Sequence, residues 1–433
     1  MRNRLAVLAP VSALALGCLL AAGCGTATTA DPASTAATSP AAASAATPSS
    51  GASSSSAAGA ASSASSAGAA SGQAACAAGS PVPKSSGAIA GLQFVSATQG
   101  WAVGAGGVLA TADGGAHWRS QLSGSRHVTS VDFVNAADGW VVGAAALLVT
   151  TDGGARWTAL PEPCPVIRTV HFLSPAAGYA VAGGSNVSGS APEIPATGGT
   201  LLSTTDGGRS WHPASAPANV QSACFSDARD GWLGAGGLLY RTANGGRTWT
   251  RLTGVTWNAG NPPALMSVEC AAGGSAWALS VGPGAAMSQQ PHIGYHADQA
   301  GASAIFAEQY FPHPGVTTTA ASPSVYAGPF SALSASAAVF VDWCDACGYG
   351  TAPWDVAAGS GSKLTKEGTV GSLTQASAAS FLSPQAGWVA GSFTQPSSAA
   401  GGKTRVQQRI VATSDGGRSW HLQYAGPWSP WSG

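Results

Sequence analysis

The chain has 433 residues, of which 8% are charged, with 59 glycines, 15 tryptophans and a formal net charge of zero. Binding to a phosphate backbone requires a dense basic face, which so sparsely and evenly charged a chain lacks, so nucleic acid is not expected as a partner. Long runs of the helix formers Glu, Lys, Leu and Arg are missing, and abundant Gly and Trp point instead to an all-β chain with many tight turns.

The first element is a leader. Arg2 and Arg4 precede an apolar stretch from Leu5 to about Ala22, which leads into Leu20-Ala21-Ala22-Gly23-Cys24. A basic start, an apolar run and a small-residue exit form the grammar of an export signal. The closing cysteine resembles a lipobox, whose cysteine becomes the acylated first residue of the mature chain. Residues 1–23 are therefore expected to be a lipoprotein signal peptide and Cys24 the lipidation site, leaving the protein extracytoplasmic and anchored to the cell membrane. Residues 24–85 are almost wholly Ala, Ser, Gly, Thr and Pro. That tract has too little apolar side chain to offset the entropy of ordering, which predicts a disordered tether with a reach of roughly 40 Å.

Over residues 86–433 the sequence repeats itself. An aromatic recurs at Trp101, Trp140, Tyr179, Trp232, Trp277, Phe340 and Trp388, and seven residues before each stands Phe94, Phe133, Phe172, Phe225, Cys270, Leu333 or Phe381. This pattern predicts a strand, a turn, and a second strand starting at the aromatic. In the second copy four strands are expected, at 128–133, 139–143, 147–151 and 156–160. Four strands repeated seven times predict a seven-bladed β-propeller.

Five copies close with T-x-[DN]-G-G-x-x-W. Its fixed residues are Thr111, Asp113 and Trp118; Thr150, Asp152 and Trp157; Thr204, Asp206 and Trp211; Thr242, Asn244 and Trp249; and Thr413, Asp415 and Trp420. The pattern resembles the Asp box, or BNR repeat. Its Thr and Asp oxygens are expected to bind turn backbone, its glycines to take positive φ, and its Trp to pack beneath the turn. The role is structural. Blades five and six lack the box and carry long insertions, which makes them the expected binding region.

Six cysteines follow Cys24, an even number that suggests disulfides in an exported protein. Cys344 and Cys347 are the local pair. The pairing of Cys76, Cys164, Cys224 and Cys270 is left open. The disulfide loop would hold Trp343 and Tyr349 at low entropic cost, as an interface anchor requires.

Three further groups are candidates. The residues before each strand end (Gln93, Asp132, His171, Cys224, Glu269, Ala332 and Ser380) are expected to line the channel, where Asp132, His171 and Glu269 could converge on a cation. A hydrated, mutually hydrogen-bonded wall is the preferred reading, with no metal or other cofactor. His292, His296 and Asp298 have metal-like spacing but read as a polar loop. Arg156, Arg209, Arg247 and Arg418 are expected at equivalent hairpin positions, forming a cationic arc for an acidic partner.

The strand-pair code together with the Asp boxes, over residues 91 to 424, resembles the photosystem II stability and assembly factor family. That resemblance implies a non-enzymatic propeller that binds a protein partner at a membrane. The rival is a glycoside hydrolase of sialidase or xyloglucanase type, which also carries Asp boxes. The Arg-Ile-Pro motif of sialidases is absent, however, and the chain's five Glu offer no recognisable catalytic pair of the kind a hydrolase needs.

The leader reading predicts that Cys24→Ala abolishes acylation and releases the protein from the membrane. Labelling with a fatty-acid probe checks this, and continued labelling of the variant would refute it.

Overall fold

The computed structural model describes residues 88–430, apart from segments at 124–126, 144–145, 162, 164, 187–194, 256–264, 272, 283–291, 309–324, 345–352, 359–363 and 397–403. At 185–186, 195–196, 306–308, 325–326, 343–344, 353–358 and 364–369 it describes backbone alone. The leader, Cys24 and the tether lie outside these residues, as do Cys76, Cys164, Cys347 and Tyr349.

Among the described residues every regular element is a strand, and the strands form seven four-stranded antiparallel sheets plus one two-stranded ladder. Each sheet is one continuous piece of chain, so no blade borrows a strand from another. Blade two has strands Val128–Phe133, Gly139–Gly143, Ala146–Thr150 and Thr158–Leu160, within two residues of expectation.

The constant seven-residue spacing has a steric cause. The Phe ends the innermost strand and lays its ring over the Gly that opens the second strand. A Cβ on Gly100, Gly139, Gly178, Gly231 or Gly387 would sit 2.1–2.6 Å from a ring atom of that Phe. In blade five Cys270 stands at the Phe position, and the residue facing it is Ala276. Removing the ring relaxes the need for glycine.

The same Phe faces the neighbouring blade. Trp101 stacks on Phe133, Trp140 on Phe172, Tyr179 on Phe225 and Trp388 on Phe94, with centroids 3.5–3.6 Å apart and planes within 5–8°. The Asp-box Trp of the receiving blade meets that Phe edge-on, as Trp157 meets Phe133 at 6.0 Å and 87°. Such pairs add about 0.5–1.5 kcal/mol each beyond the area they bury.

The ring closes where the chain's two end blades meet. Besides the Trp388–Phe94 stack, Ser380 Oγ accepts from Phe94 N–H (2.9 Å), Gln408 Oε1 accepts from Ile89 N–H (3.1 Å), and Ser377 Oγ–H donates to Ile89 O (2.6 Å).

Blade six departs from its expected register. Ser331 pairs with Val339 and Ala332 with Ala338, and a bulge follows Ala332. Ala332 therefore stands at the Phe position and Ser331 before it, one residue earlier than the Leu333 and Ala332 expected from the Phe340 spacing. The hairpin interval is unchanged, since Ala332 faces Ala338 as Phe133 faces Gly139, so Val339 and not Phe340 holds the position of the recurring aromatic.

Trp140 is 1% exposed, and Trp140→Ala should cost about 3–5 kcal/mol in urea unfolding. Gly139→Ala should also destabilise, because its Cβ would strike the Phe133 ring at 2.3 Å. A loss below about 1 kcal/mol for Trp140→Ala would contradict the stacking account.

Candidate functional site

The antiparallel order divides the ring into two faces. First-to-second and third-to-fourth turns lie on one face; second-to-third hairpins and crossings between blades lie on the other. The Asp boxes are third-to-fourth turns and mark the first, or clasp, face. The long connections join strand ends on the opposite, hairpin face: after Asn186, Val281, Val341 and Gln395 within blades, and after Arg251 and Glu308 between them.

On the clasp face the five boxes are built alike. In blade two Thr150 Oγ–H donates to Asp152 Oδ1 (2.9 Å), Thr150 Oγ accepts from Gly154 N–H (2.8 Å), and Asp152 Oδ1 accepts from Arg156 N–H (2.8 Å). Gly153 and Gly154 have φ of 70° and 91°, the left-handed region that glycine enters without strain. Hydrogen bonds to the charged form lower the box carboxyls, bringing Asp113 and Asp415 to about 2. The clasp also serves the adjoining blade. Trp101 Nε1–H donates to Gly153 O (3.2 Å), Trp140 Nε1–H to Gly207 O (3.0 Å) and Trp388 Nε1–H to Gly114 O (2.9 Å).

The four arginines are not equivalent, contrary to expectation. Arg156 occupies the box position held elsewhere by His117, Ser210, Thr248 and Ser419, one residue after Arg209, Arg247 and Arg418. Arg209 Nη1–H donates to Asp206 O (2.7 Å) and Arg418 Nη1–H to Asp415 O (3.1 Å). Arg156 Nη1 lies 3.8 Å from Asp152 Oδ2. Arg209 and Arg418 thus brace their own turns, whereas the Arg156 side chain is 89% exposed.

The residues expected to line the channel instead bridge blades. Gln93 binds the Phe133 backbone twice (2.6 and 3.2 Å), Asp132 Oδ2 accepts from Phe172 N–H (2.6 Å), and His171 Nε2–H donates to Phe225 O (2.8 Å). Glu269 Oε2 accepts from Ala332 N–H (2.9 Å), and Ser331 Oγ from Phe381 N–H (3.3 Å). At the remaining junction Cys224 is disulfide-bonded to Cys270. Asp132, His171 and Glu269 each serve a different junction. Among the described residues no group of three His, Cys, Asp or Glu side chains is placed to hold a metal ion.

His292 and His296 lie on a strand, His292–Ala297, and not in a loop. Asp298 opens the tight turn that replaces the Asp box in blade five, its Oδ1 accepting from Ala300 N–H (2.7 Å) and Gly301 N–H (3.2 Å).

The hairpin face carries a group that the sequence pattern did not reveal. Blade seven's strands Gly387–Gln395, Arg405–Thr413 and His421–Pro430 run well past the five-residue strands of blade two. Pairing of Phe393 with Gln407 and of Gln407 with Trp428 puts Phe393, Gln407 and Trp428 on one side of this extension, joined by Gln395, Arg405 and Arg409 through the two-residue period. Arg405 lies 5.0 Å over the Trp428 ring, and Arg409 lies 3.7 Å over Phe393. Neither guanidinium has an acidic partner among the described residues. Trp428 is 37% exposed.

Trp343 follows Val341 on the same face of the ring. Its strand, Trp343–Cys344, pairs with Val325–Tyr326 and lies against the innermost strand of blade seven, Gln375–Phe381. Its proposed companions Cys347 and Tyr349 are outside the described residues.

A family model described as "Photosynthesis system II assembly factor YCF48" matches residues 82–163, which span the first two blades. The repeats resemble those of the photosystem II assembly factor family. No curated protein matches the sequence. Solved structures similar to this assembly-factor-like propeller include "YCF48 bound to D1 peptide", at 17% identity, TM-score 0.46, and coverage of 71% of this chain and 91% of that one. An ancestral GH74 enzyme is 14% identical with TM-score 0.46, covering 79% of this chain and 55% of that one. A PL25 ulvan lyase is 7% identical with TM-score 0.42, covering 80% and 93%.

Glu269 generates a pH prediction. Burial pushes its carboxyl from 4.5 up to about 7, against the Ala332 amide, which pulls it down. The folded state then holds a proton that the unfolded state has released, so this contribution is full below pH 4.5 and is lost as pH rises to about 7. The loss should approach ~3 kcal/mol. Urea unfolding of Glu269→Gln should show that slope removed, and an unchanged slope would reject the assignment.

Proposed function

We propose that the chain is a non-enzymatic, extracytoplasmic binding propeller, held at the membrane by lipidated Cys24, that engages a protein partner through the hairpin face of blades six and seven. The carrying observation is the cation–aromatic group of Arg405, Arg409, Phe393 and Trp428. Arg409 Nε–H donates to Gln407 Oε1 (2.9 Å), its Nη1–H to Ser372 O (3.1 Å), and Arg405 Nη2–H to Gln395 Oε1 (3.3 Å), so the stacked guanidiniums are held in place while their remaining N–H groups can serve a partner's acceptors. An exposed Trp supplies the kind of contact that dominates protein interfaces. The family match over the first two blades supports an assembly-factor role, and the Leu20–Cys24 sequence supports the anchor. The Cys224–Cys270 disulfide agrees with an oxidising compartment.

A glycoside hydrolase has less support. Among the acidic side chains described, Asp132 and Glu269 bind neighbouring blades, and Asp138, Asp227, Asp230 and Asp298 serve local turns or an ion pair. Asp342 lies buried 3.5 Å from His292, and the box carboxylates hold their own turns. No two of these are free to act as an acid and base pair.

The test is crosslinking of the full-length lipoprotein in cells, comparing the wild type with Arg405→Ala/Trp428→Ala. Partner capture should fall at least about tenfold, or 1.4 kcal/mol, with thermal melting unchanged. Equal capture by a normally folded variant would remove this surface from the interface.

A further inference from the structure

The seven blade junctions are not equally furnished, and the junction between blades four and five differs in kind. Where blades one and two meet, three devices act together: the Trp101–Phe133 stack, the Gln93 bonds to the Phe133 backbone, and the Trp101 indole bond to Gly153 O. Between blades four and five all three are missing. Cys270 replaces the Phe, so Trp232 has no ring to stack on. Cys224 replaces the hydrogen-bonding residue. Blade five lacks the clasp, and Trp232 Nε1 is buried with no hydrogen-bond partner. Noncovalent support there is a buried apolar cluster, in which Trp232, Leu239 and Leu252 of blade four pack with Met266, Val268, Ile293 and Tyr295 of blade five, together with the Ser222 Oγ–H bond to Met266 O (2.8 Å) and the Ala302 N–H bond to Thr253 O (3.0 Å).

We propose that the Cys224–Cys270 disulfide is a redox latch: with it the ring is shut at every junction, and without it the ring opens between blades four and five. A dithiol reductant breaks the S–S bond, each sulfur leaves as a thiol with one proton, and the reductant becomes its own disulfide. The resulting thiols are weak donors and acceptors and do not replace the lost lock. The location is not the one that chain connectivity suggests. Blades one and seven are joined by no covalent link, yet their seam carries a stack, an indole bond to the clasp and three further hydrogen bonds. If the chain is exported as proposed, the latch leaves the ring openable in a reducing cytoplasm and shuts it outside.

Hydrogen exchange followed by mass spectrometry tests this on the full chain, comparing the wild type with Cys224→Ala/Cys270→Ala without reductant, so that other cysteines are untouched. Amides of Val220–Phe225 and Leu265–Ala271 should exchange at least about tenfold faster in the variant, while Ile89–Phe94 and Gln375–Phe381 keep their protection. Unchanged exchange, or first opening at the seam of blades one and seven, would overturn the proposal. Should the variant fail to fold, the same measurement on folded wild-type protein during reduction decides the order of opening: blades four and five first supports the latch, any other order refutes it.

Discussion

The structure depends on one contact repeated round the ring: the aromatic that opens a blade's second strand lies flat on the Phe that ends the next blade's first strand. That contact sets the other requirements. The Phe ring must lie over its own second strand, so glycine precedes the aromatic in the five blades that carry the Phe. The stacked Trp brings its indole N–H to the next blade's clasp, so the Asp box becomes part of the junction. The residue beside the Phe is carried to the seam, where it bonds to the next blade's backbone or, once, forms a disulfide. A ring without strand exchange has to be held by side chains at its seams, because its blades share no sheet hydrogen bonds.

This contact was legible in the sequence because it fixes both residue types and spacing. Phe133 stacks on Trp101 of one neighbour and Trp140 on Phe172 of the other, and the hairpin that pairs Phe133 with Gly139 fixes the distance between the two rings, so their interval persists while the loops vary. What was not legible lay in side-chain direction. The positions of Asp132, His171 and Glu269 were identified, but a strand pattern does not say whether a side chain turns toward the axis or the adjoining blade. The disulfide was readable once direction was known, since Cys224 and Cys270 occupy the two positions that meet at every junction. Blade six shows where a spacing code fails: the interval is kept, but Val339 stands at the aromatic position and the count followed its neighbour Phe340, which put Leu333 in the place of Ala332.

The two faces divide the work of the molecule. The clasp face carries short, repeated turns whose charges are used internally, as where Arg209 and Arg418 brace their own loops. The hairpin face carries the variable connections, the lengthened strands of blade seven and the strand of Trp343. A scaffold rigid at its seams can place variable chain on one face without loss of stability. The assembly-factor-like repeats and the cation–aromatic group are the two observations on which the proposed recognition role rests.

The central claim is that blades are coupled through the aromatic junction, and a double-mutant cycle at Trp140 and Phe172 tests it most directly. Stability is measured for Trp140→Leu, Phe172→Leu and the pair together. The account predicts a coupling of about 1 kcal/mol or more between two residues on different blades. Strict additivity, with the double variant losing the sum of the single losses, would contradict it.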